Sequence, residues 1–163
     1  MAKACGDAEN VELRVPCRPE YVRTVRTLVA DVAYSVPLAP EAIEEVKVAA
    51  SEAVANIVRH AYGGAGTAEP IIVRCWRSAG NLTVEVIDRG VGFEVPAAGT
   101  IPSPNTLREK EGGLGIFLIR SLMDSVDYWS RPSLGTRIKM TKHGWPDGRY
   151  RKHSEHTRQK AGR

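Results

Sequence analysis

The sequence contains little cysteine, and its cysteines do not form a recognisable metal or disulfide pattern. Cys5, Cys17 and Cys75 are an odd number, and none of them belongs to a CxxC pair. Neither a zinc site nor a disulfide framework is therefore indicated. Reduced thiols in the cytosol are the simplest interpretation.

Long hydrophobic runs are also absent. No uninterrupted apolar stretch reaches about 18 residues, the length that a membrane-spanning helix needs. The first residues do not combine a basic region with an apolar one, as a secretory signal does. We therefore expect a cytoplasmic protein with no membrane partner.

The excess of positive charge lies mostly at the C-terminal end. The formal net charge is +4, but the body without residues 143–163 is near neutral. The basic residues of that segment are Arg149, Arg151, Lys152, Arg158, Lys160 and Arg163. The overall charge is thus weak evidence for nucleic-acid binding, and we expect no direct nucleic-acid partner. The composition predicts a flexible leader at 1–10, one folded domain at 11–142 and a basic, disordered tail at 143–163.

One long helix organises the folded part. Residues 41–62 repeat apolar side chains with the i, i+3, i+4 spacing of an amphipathic helix. Pro40 precedes the first turn, where a missing N–H is tolerated. Gly63 and Gly64 supply a C-terminal stop.

The remaining pattern alternates short strands with two further helices. Strands are predicted at 11–15, 71–75, 82–88, 128–130 and 136–141, and helices at 20–36 and 116–123. Residues 78–81 are typical of a hairpin turn, whereas 89–112 form a long loop. Strands and helices fall into separate groups, which favours an α+β sandwich with a mixed or antiparallel sheet.

Glu52 and Asn56 lie four residues apart on the long helix and therefore share one of its faces. A carboxylate accepts a proton, and an amide oxygen is a ligand for a hard cation. Such a pair could organise phosphoryl chemistry. Taken alone, it could equally be an ordinary solvated surface.

Asp88 ends a hydrophobic strand and begins the segment Asp-Arg-Gly-Val-Gly. A carboxylate at this point can accept a hydrogen bond from an exocyclic amine such as that of adenine. Gly90 and Gly92 allow the backbone to turn sharply and approach a flat ligand. The alternative is a plain turn between a strand and a loop.

A glycine-rich segment precedes the helix at 116–123. Gly113, Leu114 and Gly115 stand where free N–H groups and the helix dipole attract phosphate. A flexible helix start is the alternative. The segment is not a Walker loop, because no GK[ST] follows, and it lacks the GxGxxG of dinucleotide-binding folds.

The order of these features resembles the nucleotide-binding domain of the GHKL ATPases. In that family they are the N box, the G1 and G2 boxes and a closing threonine, here Gly135-Thr136. Closer matches resemble the bacterial anti-sigma-factor serine kinases of the RsbW and SpoIIAB type, over 11–142. They are Ser51-Glu52-Ala53-Val54-Ala55-Asn56, His60-Ala61-Tyr62, Glu111-Gly112-Gly113-Leu114-Gly115, Leu122-Met123-Asp124 and Met140-Thr141-Lys142.

The resemblance implies a fold, a reaction and a set of ligands. The fold is a two-layer α/β sandwich of the GHKL (Bergerat) type, with a mixed, mostly antiparallel sheet and helices on one face. The implied cofactors are ATP and Mg²⁺, with Asn56 as the metal ligand and Glu52 as the general base for an attacking serine. The nucleotide-binding residues would be Asn56, Asp88, Gly90, Gly92, Gly113, Leu114, Gly115 and Thr136.

The resemblance also implies partners. They are an RNA polymerase sigma factor, held inactive, and a STAS-domain antagonist, phosphorylated on serine. Arg23 matches in position a family arginine that docks both partners, and a homodimer is expected. Two alternatives are an RsbT-like switch kinase acting on a stressosome scaffold and a catalytically silent adaptor that only sequesters a sigma factor. The histidine-kinase branch is not expected, because few residues precede position 11.

One position departs from the SpoIIAB pattern. An arginine that could reach the γ-phosphate stands there before the G2 glycines, whereas this sequence has Glu111. The source of positive charge at the γ-phosphate is therefore open, with Arg108 and Lys110 as candidates.

Overall fold

The structure is a computed structural model that describes residues 10–60, 69–90, 113–131 and 134–144. In chain order these form β1 (Asn10–Val15), a 3-10 turn (Pro19–Tyr21), α1 (Val22–Tyr34), α2 (Pro40–His60), β2 (Ile71–Ser78), β3 (Asn81–Asp88), α3 (Gly113–Leu122), β4 (Ser125–Arg131) and β5 (Gly135–Lys142). Most of the predicted leader, tail and loop, including Gly92, lies outside the described residues.

The five strands form one sheet in the order β1-β2-β3-β5-β4, and every described pairing is antiparallel. The hairpin predicted at 78–81 is confirmed, since Ser78 pairs with Asn81 across a two-residue turn. Both turn residues have positive φ, +50° at Ala79 and +80° at Gly80. This is the turn geometry that matches the twist of paired strands.

One face of the sheet forms the core together with the helices. Alternate residues of the three inner strands are buried, as period-2 patterning requires; they are Ile71, Val73, Cys75, Leu82, Val84, Val86, Ile138 and Met140. On this face α1 contacts β2, and α2 contacts both β3 and β5. The chain is therefore an α+β sandwich of two layers.

The long helix α2 lies close to its neighbours because its buried side is rich in alanine. Ala49, Ala50 and Ala53 are fully buried, and α2 packs against α1, α3 and the sheet. Small side chains permit such close approach on several sides at once. The helix begins at Pro40 and is described as far as His60.

Three helix boundaries predicted from the sequence are wrong, two in the first helix and one in the third. The first helix was expected to begin at residue 20, but Pro19–Tyr21 forms a 3-10 turn and α1 begins at Val22. It ends at Tyr34 rather than 36, because both the N–H and the Oγ of Ser35 turn back to the Val32 carbonyl. In contrast, α3 begins three residues early, at Gly113, so the glycines lie inside its first turn.

The other face of the sheet carries a charged cluster. Glu85 is only 2% exposed although it points away from the core. Arg137 donates from Nε to its Oε1 at 2.5 Å, and Arg74 Nη1 lies 3.6 Å from Oε2. Long basic side chains from β2 and β5 thus cover this carboxylate. Among the described helices, none has the length and apolar character needed to cross a bilayer.

Candidate active site

Three polar side chains of α2 form one group, called here the α2 cluster: Glu52, Asn56 and Arg59. The guanidinium Nη2 of Arg59 donates to Glu52 Oε1 at 2.8 Å and to Asn56 Oδ1 at 3.1 Å. Its Nε donates to the Ala55 carbonyl at 3.2 Å. Spacings of three, four and seven residues place these groups on one side of the helix. The structure therefore brings the predicted pair together and adds an arginine.

The first turn of α3 contacts the α2 cluster at Gly115. A Cβ on Gly115 would lie 2.4 Å from Asn56 Nδ2 and 2.5 Å from Glu52 Oε1. The close approach requires glycine. The N–H groups of a first helical turn have no partner within the helix, and the positive end of its dipole lies there. An anion at this turn would thus meet the amide of Asn56 and the carboxylate of Glu52.

Asn56 has the features of a ligand-binding side chain. It is 4% exposed, and its Nδ2 finds no hydrogen-bond partner in the part of the chain that the structure describes. A buried amide donor without a partner is costly, which points to a ligand that satisfies it. Within the same ranges no group of three or more His, Cys, Asp or Glu could hold a metal ion. A single amide oxygen fits Mg²⁺, since this ion is usually bound through few protein ligands plus phosphates and water.

Asp88 forms the centre of a second group, the Asp88 cluster, with Gly90 and Thr136. The side chain is 2% exposed. Its Oδ1 accepts the Gly90 N–H at 2.6 Å, and its Oδ2 accepts the Thr136 N–H at 3.1 Å. Burial raises the pKa of the Asp88 carboxyl, and these two bonds partly oppose the rise. A carboxylate has about four acceptor positions, so Asp88 retains acceptor capacity for an amine.

Gly135 allows β5 to begin directly beside Asp88. Its φ is +86°, and a Cβ would lie 2.1 Å from the Asp88 carbonyl oxygen. Only glycine meets both conditions. The next residue, Thr136, is 1% exposed, and its Oγ1 lies 3.2 Å from Ser130 Oγ. The G-T pair predicted in a late strand is thus adjacent to Asp88.

The architecture joins the two clusters through the helical layer. Helix α2 packs against β3 and β5, the strands that carry Asp88 and Thr136.

Residues 15–142 match the histidine kinase-like ATPase domain family. Over 138 residues the chain is 34% identical to the serine-protein kinase RsbW of Bacillus pumilus, covering 81% of this chain and 84% of the relative. It is likewise 34% identical over 140 residues to RsbW of Oceanobacillus iheyensis and of Listeria monocytogenes, covering 83% of this chain and 87% of each relative. The chain belongs to the RsbW family of serine-protein kinases.

A solved structure agrees with this assignment at the level of the fold. The RsbU and RsbW domains of a Mycobacterium tuberculosis protein superpose with a TM-score of 0.60 at 20% identity, over 83% of this chain and 32% of that one. The resemblance to RsbW kinases inferred from the boxes is confirmed, as is the GHKL fold.

The remaining predicted site residues are distributed as follows. Gly113 and Leu114 form the start of α3 with Gly115, and Gly92 lies outside the described residues. Arg23 is exposed on α1 and lines a shallow depression of about 420 Å³ with Arg26 and Lys47. The roles assigned to these residues stay predictions.

Sequence reasoning missed four residues in or near the two clusters: Arg59, Cys17, Ser130 and Tyr128. Burial, with a contribution from the nearby Asp88 charge, raises the pKa of Cys17 to about 11 and also raises that of Tyr128. Both side chains therefore lie within electrostatic range of the Asp88 carboxylate. For Arg59, the i+7 spacing from Glu52 was a usable signal. Cys17, Ser130 and Tyr128 come from other elements, and no local pattern connects them with Asp88.

Proposed function

We propose that this RsbW-family kinase transfers the terminal phosphate of Mg-ATP to a serine of a STAS-domain antagonist, and that it sequesters an RNA polymerase sigma factor. The observation that carries the proposal is the contact between Gly115 and the α2 cluster. At this contact, a carboxylate suited to act as a general base, an amide oxygen suited to bind a metal and a helix start suited to bind phosphate lie next to one another.

In the proposed reaction, Glu52 acts on the attacking serine. Its carboxylate accepts the hydroxyl proton while the serine oxygen forms a bond to the γ-phosphorus. The bond from that phosphorus to the β–γ bridging oxygen breaks, and ADP leaves. A magnesium ion at Asn56 would neutralise phosphate charge. The N–H groups at Gly113 and Gly115 would hold phosphate oxygens.

Adenine recognition is assigned to the Asp88 cluster. The carboxylate accepts a hydrogen bond from the exocyclic amine of adenine. The Gly90 and Thr136 N–H groups fix the orientation of the carboxylate. The Thr136 hydroxyl assists, directly or through a water. Gly92 contributes to the pocket floor in this proposal.

The proposed exchange of partners follows from the charge of the phosphoserine and from the linkage between antagonist binding and sigma-factor binding. A phosphoserine on the antagonist adds up to about two negative charges and weakens its docking, which frees the kinase for the sigma factor. Arg23, exposed on α1, is proposed to dock both partners. We propose a cytoplasmic homodimer whose folded unit spans 11–142.

The test is transfer of radiolabelled phosphate from ATP to a candidate STAS protein. Glu52→Gln is expected to lower transfer about 100-fold or more, the usual contribution of a general base, and to preserve ATP binding. Glu44→Gln is the matched control, because Glu44 lies on the same helix and pairs with half-buried Lys47 and exposed Arg26 instead. Equal turnover of Glu52→Gln and wild type would contradict the role of Glu52.

Two other outcomes would replace the proposal. Label on a stressosome scaffold, but not on a lone STAS antagonist, would indicate an RsbT-like switch kinase. Tight binding of a sigma factor with no transfer to any partner would indicate a silent adaptor.

A further inference from the structure

Arg59 occupies the point where the α2 cluster faces solvent. Its side chain is 55% exposed, whereas that of Glu52 is 26% exposed. The described contacts use Nε and Nη2. The guanidinium has five N–H donors, so the N–H groups of Nη1 remain for a further acceptor.

The proposed reaction places two groups of like charge side by side. Glu52 must be ionised to accept a proton, and the terminal phosphate of ATP is negatively charged. Both would meet at Gly115, whose Cα faces Glu52 and whose helix start would hold the phosphate. A cation between them is needed to offset the repulsion.

We propose that Arg59 binds the terminal phosphate of ATP while its Nη2 keeps the contact with Glu52. Arg59 is then the cation that lets this chain hold a triphosphate beside its general base, and it distinguishes ATP from ADP. This inference rests on the proposed function. It assigns the γ-phosphate charge to a residue of α2 rather than to Arg108 or Lys110.

The geometry of α2 supports this assignment. Arg59 is three residues beyond Asn56 and contacts its Oδ1, the atom assigned to the metal. A phosphate bound next to Asn56 would therefore be within reach of the guanidinium. The contacts of Nε with the Ala55 carbonyl and of Nη2 with Glu52 fix the planar guanidinium, and they leave the N–H groups of Nη1 for the ligand.

The test compares two nucleotides by titration calorimetry with magnesium present: ADP and the non-hydrolysable triphosphate AMP-PNP. Arg59→Gln is expected to weaken AMP-PNP binding about tenfold, the usual size of a charge-assisted hydrogen bond, and ADP binding no more than about twofold. Arg59→Lys is expected to recover part of the loss. Arg26→Gln removes an exposed helical arginine that pairs with Glu44, and serves as the charge-matched control. Circular dichroism verifies the fold of each variant.

A double-mutant cycle separates the proposed role from simple attraction to phosphate. In a Glu52→Gln background, Arg59→Gln is expected to cost AMP-PNP less affinity, because the repulsion that Arg59 offsets is already gone. An equal loss in both backgrounds, or equal effects on ADP and AMP-PNP, would overturn the inference.

Failure of this inference is distinguishable from failure of the proposed function. If wild type binds no nucleotide, both fail. If wild type phosphorylates its partner and Arg59→Gln retains the wild-type ratio of AMP-PNP to ADP affinity, only the role of Arg59 fails.

Discussion

At the scale of single residues, burial determines how Asp88 titrates. The pKa of its carboxyl is raised because burial penalises the charged form. The unfolded chain releases this proton near pH 3.9, and the folded protein releases it at higher pH. Ionisation of Asp88 therefore lowers the free energy of unfolding as pH rises through that interval.

Asp88→Asn reports this effect. The free energy of unfolding of wild type, minus that of the variant, is expected to fall as pH rises from about 4 and to level off above the folded-state pKa. Urea titrations at several pH values measure the difference. A difference that grows with pH would mean that hydrogen bonds outweigh burial at Asp88.

The same substitution tests adenine recognition. An amide retains one acceptor oxygen but loses the charge that favours an amine donor. Asp88→Asn is expected to weaken ATP binding about tenfold, as measured by calorimetry at pH 7. Wild-type affinity in the variant would move adenine recognition away from Asp88.

Substitution of Gly115 is expected to change phosphotransfer activity much more than the stability of the fold. In Gly115→Ala the new methyl group would displace Asn56 and Glu52 from the positions that place them against α3. A helical alanine is favoured over glycine by up to about 1 kcal/mol, which offsets the local crowding. Phosphotransfer is expected to fall at least about tenfold while the melting temperature changes by only a few degrees. Ser121→Ala on the same helix, which removes one exposed contact to Leu118, should retain full activity.

At the scale of elements, Arg137 is expected to stabilise the face of the sheet that points away from the core, because it pairs with Glu85 there. Removal of this side chain leaves Glu85, 2% exposed, with the more distant Arg74. Arg137→Ala is expected to lower the free energy of unfolding by about 2 kcal/mol, less than for a fully buried pair because Arg137 is half-exposed. Arg14→Ala, which removes an exposed pair with Glu12, should change it by less than about 1 kcal/mol. Equal losses in both variants, measured by urea titration, would contradict a special role for Glu85.

Elements with a clear period were predictable, and contacts across the chain were not. The alternation in β2 and β3 and the 3.6-residue period of α2 identified both their type and their approximate limits. Strand β4 was predicted only at 128–130, whereas pairing with β5 extends it to Ser125–Arg131. The burial of Glu85 could not be predicted, since its partners Arg74 and Arg137 lie 11 and 52 positions away in sequence.

The candidate site shows the same difference between local patterns, which were predictable, and contacts across the chain, which were not. The boxes indicated Glu52, Asn56, Asp88 and Thr136 because each follows a local rule of spacing or strand ending, and their roles stay predictions. The contact of Gly115 with α2 depends on how α3 docks, which no local pattern specifies. Arg59 could have been found from its spacing, because it follows Glu52 by seven residues and Asn56 by three on the same side of α2.

At the scale of the whole molecule, the described fold closes at residues 142–144. Lys142 Nζ contacts Glu45 Oε2 at 2.6 Å and the Leu122 carbonyl at 2.7 Å, which ties β5 to α2 and α3. The Gly144 N–H donates to Asn81 Oδ1 at 3.3 Å beside the β2–β3 turn. The basic segment beyond is thus not needed for these contacts.

Two truncations test this limit. A chain ending after residue 144 is expected to keep the melting temperature of the full chain within about 2 °C, and to bind ATP equally well. A chain ending after residue 141 loses the contacts of Lys142 and should melt at least about 4 °C lower. Thermal unfolding followed by circular dichroism distinguishes them, and equal melting of the two chains would contradict the role of Lys142.

The position of β5 has a consequence for biosynthesis. This strand is the last of the five in sequence, yet it lies between β3 and β4 in the sheet. A nascent chain on the ribosome therefore cannot place β4 beside its neighbour, or enclose the carboxylate of Asp88, until residues 135–142 have emerged. The kinase thus completes the Asp88 cluster, its proposed adenine site, in a late, long-range step, and unfinished chains should not bind ATP.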